Sequence, residues 1–198
     1  MASLSDKPFS QSCENNKHAI LTQLKRYFSN VNKVLEIGSG TGQHAVFFAQ
    51  CLNHLKWYCA DQPNYHEAIN AWINDYPCAN LYRPVALSFP DDELPYMNID
   101  GIFTANTAHI MHKHQVQNMM GKISDGLVVK GVFCQYGPFI IDGKFSSQSN
   151  EDFHHHLLAV GCGGYKSIEE LQMWAPKLVL DEIIQMPANN LMLVWHKR

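Results

Sequence analysis

The chain has 198 residues, of which 46% are hydrophobic and 17% are charged, and its formal net charge is -3. A chain of this length and composition folds as a globular protein with one sizeable core, which excludes an intrinsically disordered protein. No basic tract stands out, so the sequence offers nucleic-acid binding no electrostatic support.

The cysteines and the start of the chain bear on the compartment. Residues 1–8 contain no apolar signal region, and no apolar run is long enough to span a membrane. The cysteines are scattered, with no C-x-x-C pair among Cys13, Cys51, Cys59, Cys78, Cys134 and Cys162. We therefore expect reduced thiols, no membrane insertion and a cytoplasmic location.

The predicted elements begin with a helix over residues 14–27, whose apolar side chains fall on one side. Strands and helices then alternate. Strands are predicted over 34–37, 55–60, 81–87, 99–105 and 128–136, and helices over 43–52, 64–75, 114–124, 150–159 and 167–174. Pro84 weakens the third strand, and Gly126 is expected beyond the end of a helix.

Two strands over 178–185 and 191–196 close the chain, and the short link between them predicts an antiparallel hairpin. Strands that alternate with helices predict a mostly parallel sheet. The predicted fold class is α/β, a Rossmann-like doubly wound sheet of seven strands with an antiparallel last strand. We expect a single domain over residues 1–198, with an N-terminal helical cap over 1–30 and a core over 31–198.

A glycine-rich turn is the most informative segment of the chain. The strand at 34–37 leads into Gly38, Gly40 and Gly42, and a helical pattern follows. A strand, a glycine turn and a helix form the nucleotide-binding element of doubly wound folds. The spacing is G-x-G-x-G, whereas the dinucleotide fingerprint is G-x-G-x-x-G.

An acid stands just before the first glycine. A carboxylate at Glu36 would repel a diphosphate, and it suits a ligand that carries an ammonium or sulfonium group. An alternative is a strand-end carboxylate satisfied by backbone N–H groups. The E-x-G-x-G-x-G pattern resembles the first motif of S-adenosylmethionine-dependent methyltransferases, and the closing hairpin resembles their sheet architecture.

A second acid follows the second predicted strand. Asp61 falls about 20 residues beyond the glycines, where an acid holds ribose hydroxyls. The alternative is that Asp61 caps the next helix or opens a turn before Pro63. The glycine turn upstream favours the ribose role.

Ordered segments along the chain resemble one uncharacterised methyltransferase-like family, DUF938. They are Ser12–Lys17, Leu35–Ala45, Ala105–Ile110, Tyr136–Phe139, Ser149–Phe153 and Met186–Leu191. The resemblance implies a class I methyltransferase fold and an S-adenosylmethionine site, without a known substrate. Two positions depart from the family pattern: Ser88 replaces the usual acid after the third strand, and Gly161–Tyr165 replaces a polar segment.

Together, these patterns and the resemblance predict a set of cofactor-binding residues near the strand ends. Asn106 is included because it follows the fourth strand, although it could serve only as a turn residue. The predicted set is Glu36, Gly38, Ser39, Gly40, Gly42, His44, Asp61, Gln62, Leu87, Ser88 and Asn106.

Catalytic and substrate residues are predicted from the same strand ends and from two helix starts. His109 and Tyr136 are the candidate base or orienting groups. The residues expected to contact substrate are Asn16, Lys17, Asn150 and Phe153. The segment Glu14–Lys17 is read either as helix capping or as a lid over the cofactor.

The function predicted from the sequence is methyl transfer from S-adenosylmethionine to a small-molecule acceptor. The H-x-x-H-x-H pattern at 109–114 has no carboxylate or cysteine close by, so no metal is predicted. A non-catalytic cofactor-binding or adaptor protein is the alternative, and glycine spacing disfavours an NAD-dependent oxidoreductase. The oligomeric state is left open.

Overall fold

A computed structural model describes residues 7–198, so the first six residues of the predicted helical cap lie outside the described residues. The described part contains six α-helices and seven β-strands. They are α1 (Gln11–Tyr27), β1 (Lys33–Ile37), α2 (Gln43–Cys51), β2 (Lys56–Asp61), α3 (His66–Asp75), β3 (Leu81–Ala86), β4 (Gly101–Ala105), α4 (Lys113–Gly126), β5 (Val132–Gly137), α5 (Gln148–Ala159), α6 (Ile168–Trp174), β6 (Leu178–Met186) and β7 (Asn190–Lys197).

All seven strands form one sheet in the order β3-β2-β1-β4-β5-β7-β6. The pairs among β1 to β5 are parallel, whereas β7 runs antiparallel to both β5 and β6. The predicted seven-stranded sheet with a reversed last strand is therefore confirmed. The strand order reverses between β1 and β4, and the carboxyl ends of strands at such a point form the ligand crevice of open α/β sheets.

The core lies on both faces of the sheet. On one face α1 and α2 pack Leu24 and Phe48 against β1 and β5, and on the other α4 and α6 pack Met119 and Leu171 against the same strands. Because the central strands are buried on both faces of the sheet, their sequences consist mainly of apolar residues. Across the described residues, no helix combines the length and apolarity needed to cross a membrane.

Helix α1 begins earlier than the sequence pattern predicted. It starts at Gln11 because Ser10 is its N-cap, and the Ser10 hydroxyl accepts a hydrogen bond from the Cys13 backbone N–H (3.3 Å). Such a bond satisfies one of the backbone donors that a helix start leaves free.

Two predictions near the fourth and fifth strands were wrong in detail. Strand β5 begins at Val132, because Val128 and Gly131 bond each other across a turn in which Lys130 has φ of 65°. Gly126 is the last residue of α4 and does not lie beyond it.

Pro84 is compatible with a strand because β3 lies at the edge of the sheet. An edge strand has one side without ladder partners, so the missing N–H of proline leaves no acceptor unpaired there. The register between β2 and β3 also shifts beside it, between Tyr58 and Ala60.

Candidate functional site

A cavity of about 460 Å³ opens at the carboxyl ends of the strands around the crossover between β1 and β4. This volume is in the range of pockets that enclose small ligands. Its lining comes from the glycine turn, from the segments after β2, β3 and β4, and from the start of α1. The residues are Ser10, Cys13, Ile37, Gly38, Ser39, Gly40, Thr41, His44, Asp61, Gln62, Tyr65, Leu87, Ser88, Phe89, Ala105, Asn106, Thr107, Ile110, Met111 and Gln115.

The glycine turn packs tightly against the loop after β4. Gly38 has φ of +77°, and a Cβ there would lie 2.6 Å from Thr107 Oγ1. The Thr107 hydroxyl in turn donates to the carbonyl oxygens of Ala105 (3.2 Å) and Ile37 (3.4 Å). Only glycine fits this close approach, so the turn and the loop after β4 form one floor of the cavity.

Asp61 is bonded to the glycine turn and lines the same cavity. Its Oδ2 accepts a hydrogen bond from the Gly40 N–H (2.7 Å), and its Oδ1 accepts one from the Gln62 N–H (2.7 Å). Burial raises the pKa of Asp61, while these two N–H groups act to lower it. Each carboxylate oxygen keeps a lone pair that can accept a ligand hydroxyl.

The alternative that Asp61 only caps the next helix finds little support. The short 3-10 turn over Pro63–Tyr65 has Gln62 at its N-cap position and no side-chain cap bond. The Asp61 carboxylate instead reaches back to the glycine turn.

Glu36 lies behind the glycine turn and does not line the cavity. Its Oε2 accepts hydrogen bonds from Trp57 Nε1 (3.0 Å) and Ser39 Oγ (3.1 Å), and only 2% of the residue is exposed. Burial raises the pKa of this carboxyl to about 7, against the opposing effect of the two bonds. Glu36 is therefore connected to the cavity only by its hydrogen bond with Ser39, which does line the cavity. Gly42, which was also predicted to bind the cofactor, does not line the cavity.

His44 connects the cavity wall to α1. Its Nε2 lies 2.7 Å from Asn16 Oδ1, and its ring stacks on Phe48 with centroids 5.1 Å apart. Burial lowers the pKa of His44 to about 4, so the imidazole is neutral near pH 7 and donates through Nε2–H to Asn16. Asn16, predicted to touch substrate, is thus buried as the partner of a cavity residue.

The start of α1 forms a wall of the cavity through Ser10 and Cys13, whereas the lid alternative in the sequence analysis was placed on Glu14–Lys17, which do not line the cavity. Gln43 pairs with the backbone of Ser10, accepting from its N–H (2.5 Å) and donating to its carbonyl oxygen (3.3 Å). Ser10 and Cys13 consequently face the cavity. The sequence around Ser10 contains a signal for a helix N-cap. It contains no signal that this first turn of α1 packs on α2, whose Gln43 is 33 residues away.

The opposite rim is formed after β2 and β3. Gln62, Leu87 and Ser88 line it as predicted, together with Tyr65 and Phe89, which the sequence did not single out. The Ser88 backbone N–H donates to Asp92 Oδ2 (2.7 Å), so this carboxylate engages the main chain.

Asn106 lines the cavity from the loop after β4, and it also serves as a turn residue. Its φ is 56°, and its N–H donates to the Tyr136 carbonyl oxygen (3.0 Å). The turn role of Asn106 is thus seen in the structure, and its contact with a cofactor or substrate stays a prediction. The backbone bond also links the ends of β4 and β5.

The two predicted catalytic side chains are buried outside the cavity lining. Burial raises the pKa of Tyr136, so its phenol stays protonated near pH 7. Burial, and then the charge of Lys166, lowers the pKa of His109 to about 4. The His109 ring packs near Phe153 (6.1 Å between centroids) and Tyr165 (6.0 Å).

The remaining substrate predictions are not brought to the cavity. Lys17 forms an ion pair with Glu14 on the same helix. Asn150 is buried and donates from Nδ2 to Ser146 Oγ (2.7 Å) and to the Asn189 carbonyl oxygen (3.0 Å). Their roles toward a substrate, like that of the half-exposed Phe153, stay predictions.

Within residues 7–198, no three His, Cys, Asp or Glu side chains are placed to hold a metal ion.

Several solved structures with the same fold are methyltransferases. The O-methyltransferase NcsB1 from neocarzinostatin biosynthesis, solved with S-adenosylmethionine and 2-hydroxy-5-methyl naphthoic acid, matches with a TM-score of 0.78 and 14% identity, over 94% of this chain and 55% of that one. Human N-acetylserotonin methyltransferase in complex with S-adenosylmethionine matches with a TM-score of 0.77 and 14% identity, over 94% and 53%.

A third match is the S-adenosylmethionine-dependent methyltransferase SibL in its apo form, with a TM-score of 0.76 and 16% identity, over 94% of this chain and 55% of that one. The chain spans about half the length of these structures. At such identities the likeness establishes the fold, which is that of class I methyltransferases.

The family is established by the sequence itself. A family model described as "Protein of unknown function (DUF938)" matches residues 7–197, and the chain belongs to this family. The resemblance drawn from the ordered segments is thereby confirmed.

Proposed function

We propose that the protein is an S-adenosylmethionine-dependent methyltransferase that acts on a small-molecule acceptor. The observation that carries the proposal is the 2.7 Å bond between the Gly40 N–H and the Asp61 carboxylate inside one cavity. It joins the glycine turn to the acid that follows the next strand, which is the arrangement that holds a nucleoside in doubly wound folds. The fold of the chain supports the same reading.

The chemistry of the lining fits this cofactor better than a dinucleotide. A Cβ on Gly40 would meet no atom within 4 Å, so the turn leaves its backbone open toward a ligand. Asp61 is the one acidic side chain in the lining, and no lysine or arginine of residues 7–198 lines the cavity. A pyrophosphate would find no counter-charge there, whereas ribose hydroxyls and a cationic sulfonium suit a carboxylate.

The residues present suggest how each part of the cofactor would be held. Asp61 would accept the ribose hydroxyls. Tyr65, Leu87 and Phe89 would enclose the adenine, with Ser88 as a polar contact, and Gly38 with Ser39 would face the amino-acid end. Ser10, Cys13 and Asn106 would then border the space for the acceptor.

When bound, the cofactor supplies a methyl group that is activated by its positive sulfur. The chain's own contribution is to exclude water with apolar walls and to hold the acceptor close. Burial raises the pKa of the Cys13 thiol, so this group stays protonated and is no base at neutral pH. The neutral imidazoles of His44 and His109 are weak proton acceptors. The site therefore suits an acceptor that is already nucleophilic.

Calorimetric titration with S-adenosylhomocysteine, S-adenosylmethionine and NAD tests the cofactor. We expect the two sulfur ligands to bind and NAD to bind far more weakly. The variant Asp61→Asn should lose roughly tenfold or more in affinity, because a charged acceptor of hydroxyl hydrogen bonds is replaced by a neutral one. Asp181→Asn, on the exposed surface of β6, is the matched control and should leave affinity unchanged. Tight NAD binding, or no binding of either sulfur ligand, contradicts the proposal.

A binding protein without catalysis is a second candidate, and one observation favours it: neither His109 nor Tyr136 lines the cavity. Methyl-labelled S-adenosylmethionine, incubated with fractions of a small-molecule extract, separates the two. Release of S-adenosylhomocysteine that depends on a fraction and is lost in Asp61→Asn supports an enzyme. Tight binding with no release from any fraction supports the binding protein.

A further inference from the structure

A buried lysine joins the loop after β4 to a glycine-rich segment before α6. Lys166 is only 3% exposed. Its Nζ donates to the carbonyl oxygens of Gly164 (2.5 Å), Met111 (3.0 Å), Gly163 (3.1 Å) and Ala108 (3.2 Å). An ammonium group has three N–H donors and no acceptor. Its burial is therefore tolerated only where acceptors such as these carbonyl oxygens replace the lost water.

The two segments that Lys166 joins also contact each other directly. The Gly163 N–H donates to the Ile110 carbonyl oxygen (3.1 Å). A Cβ on Gly163 would lie 1.9 Å from the Met111 carbonyl oxygen, so the two backbones are closer than any other residue would allow. Gly163 therefore serves the packing of one loop on the other.

The loop that is held in this way forms part of the cavity. Ile110 and Met111 line it, and Ile110 is 49% exposed, so no apolar core fixes this side chain. The Lys166 ammonium group donates to two carbonyl oxygens of the loop after β4. These belong to Ala108 and Met111, which lie on either side of Ile110. The Lys166 ammonium group thus supports this wall together with the Gly163 N–H and the apolar cluster against which Met111 packs.

We propose that Lys166 is a positioning residue of the cofactor cavity: its ammonium group holds the loop after β4 against the Gly161–Gly164 segment and so sets the wall formed by Ile110 and Met111. The proposal rests on the proposed function for the identity of the ligand. The geometry itself, a buried ammonium group on four carbonyl oxygens from two loops, is independent of that identity.

The charge of Lys166 makes the arrangement sensitive to pH. Burial lowers the pKa of Lys166 to about 8, with Glu170 acting to raise it and Lys113 to lower it. The other titratable groups that it faces are His109 on the loop after β4 and His154 on α5. The neutral amine has one donor fewer and a lone pair that repels carbonyl oxygens. We therefore expect affinity for S-adenosylhomocysteine to fall as the pH rises above about 8.

The experiment is calorimetric titration of S-adenosylhomocysteine into wild type, Lys166→Met and Lys166→Gln between pH 6.5 and 9.5. We expect Lys166→Met to bind roughly tenfold more weakly at pH 7, and Lys166→Gln, which keeps two donors, to recover part of the affinity. Wild-type affinity should fall by up to about tenfold in total between pH 8 and 9.5, toward the affinity of Lys166→Met, and this fall should vanish in Lys166→Met.

Lys197→Met is the matched control. Lys197 Nζ also donates to backbone carbonyl oxygens, those of Ser124 and Asp125 at the end of α4, and its pKa is also lowered by burial. These carbonyls lie outside the cavity, so this variant should keep wild-type affinity and its pH profile. A wild type that binds, with Lys166→Met showing the same affinity and pH profile, overturns the positioning role and leaves the proposed function intact.

Hydrogen exchange provides a test that needs no ligand. In Lys166→Met, peptides that cover residues 108–112 and 161–164 should exchange faster than in wild type and in Lys197→Met, because the Gly163 N–H loses its support. Equal exchange in the three proteins overturns the proposal, even if no ligand binds. If Lys166→Met does not fold, Lys166→Gln and the wild-type pH profile carry the test.

Discussion

At the scale of single residues, Glu36 shows how burial changes what a motif residue does. The acid was expected to face the cofactor, and it lies instead beneath the turn with Trp57 and Ser39 as donors. A carboxylate in such a place loses its hydration, which is why its pKa rises to about 7. Glu36 can affect a ligand only indirectly, by holding Ser39 and so the conformation of the glycine turn.

The raised pKa of Glu36 predicts a pH dependence of stability. The carboxyl has a pKa of 4.5 in the unfolded chain and about 7 in the folded one, so the folded state holds an extra proton between these values. The contribution of Glu36 to the free energy of unfolding therefore falls as the pH rises from about 4.5 to 7. Glu36→Gln should be more stable than wild type above pH 7, by up to a few kcal/mol at about 1.4 kcal/mol per pKa unit.

Urea unfolding over a pH series measures this difference. The variant should lose the fall in stability across that window, because the glutamine carbonyl can accept from Trp57 and Ser39 without a charge. Glu67→Gln, at an exposed position of α3, is the control and should follow wild type. A Glu36→Gln protein with the wild-type slope would contradict the assignment.

At the scale of elements, the start of α1 is held on the start of α2 by side chains. Gln43 pairs with the Ser10 backbone, and His44 bonds Asn16. The segment before α1 is anchored on α3 as well: Lys7 Nζ lies 4.0 Å from the Trp72 ring, whose Nε1 donates to the Pro8 carbonyl oxygen (2.8 Å). These contacts place Ser10 and Cys13 in the cavity wall.

Removing the contacts that hold the start of α1 should speed up ligand dissociation while leaving the stability of the fold nearly unchanged. In Gln43→Ala the Ser10 backbone loses both of its bonds to the Gln43 side chain, and we expect S-adenosylhomocysteine to dissociate several-fold faster in a stopped-flow measurement. The melting temperature should change little, because the buried apolar face of α1 is untouched. Gln11→Ala is the matched control, since among residues 7–198 the Gln11 side chain bonds only the exposed Asn15 on its own helix. Equal dissociation rates in the two variants would show that α1 is no wall for the ligand.

At the scale of the whole molecule, the helical cap and the sheet share one core. Leu24 of α1 and Phe28 at its C-cap are fully buried in the same apolar cluster as Val34 of β1 and Cys134 of β5. Burying a side chain of this kind contributes about 1.5–3 kcal/mol, which is large beside a typical net stability of 5–15 kcal/mol. We therefore expect that residues 7–30 do not unfold as a separate unit.

Leu24→Ala tests this coupling. We expect a loss of about 2–5 kcal/mol in the free energy of unfolding, with a single cooperative transition retained by both fluorescence and circular dichroism. Thr22→Ala, on the exposed side of α1, should stay within about 0.5 kcal/mol of wild type. A second transition in Leu24→Ala would mean that the cap unfolds independently.

Signals carried by neighbouring residues were sufficient for much of the fold and for half of the site. The glycine turn, Asp61 after the second strand and the alternation of elements predicted the sheet and one side of the cavity. The capping box at Ser167 and the left-handed backbone of Asn189 in the last hairpin are further features of this local kind. Each of these depends on a few consecutive residues, whose local geometry hardly changes with context.

The other half of the site depends on contacts between distant segments. Ser10 and Cys13 reach the cavity because α1 packs on α2, and Ile110 and Met111 because Lys166 holds their loop. Local pattern carries no record of such packing. The directions of side chains at strand ends, including Tyr136, follow from the register with partner strands that come from remote parts of the chain. That register is settled only when the whole sheet and its two helical layers assemble.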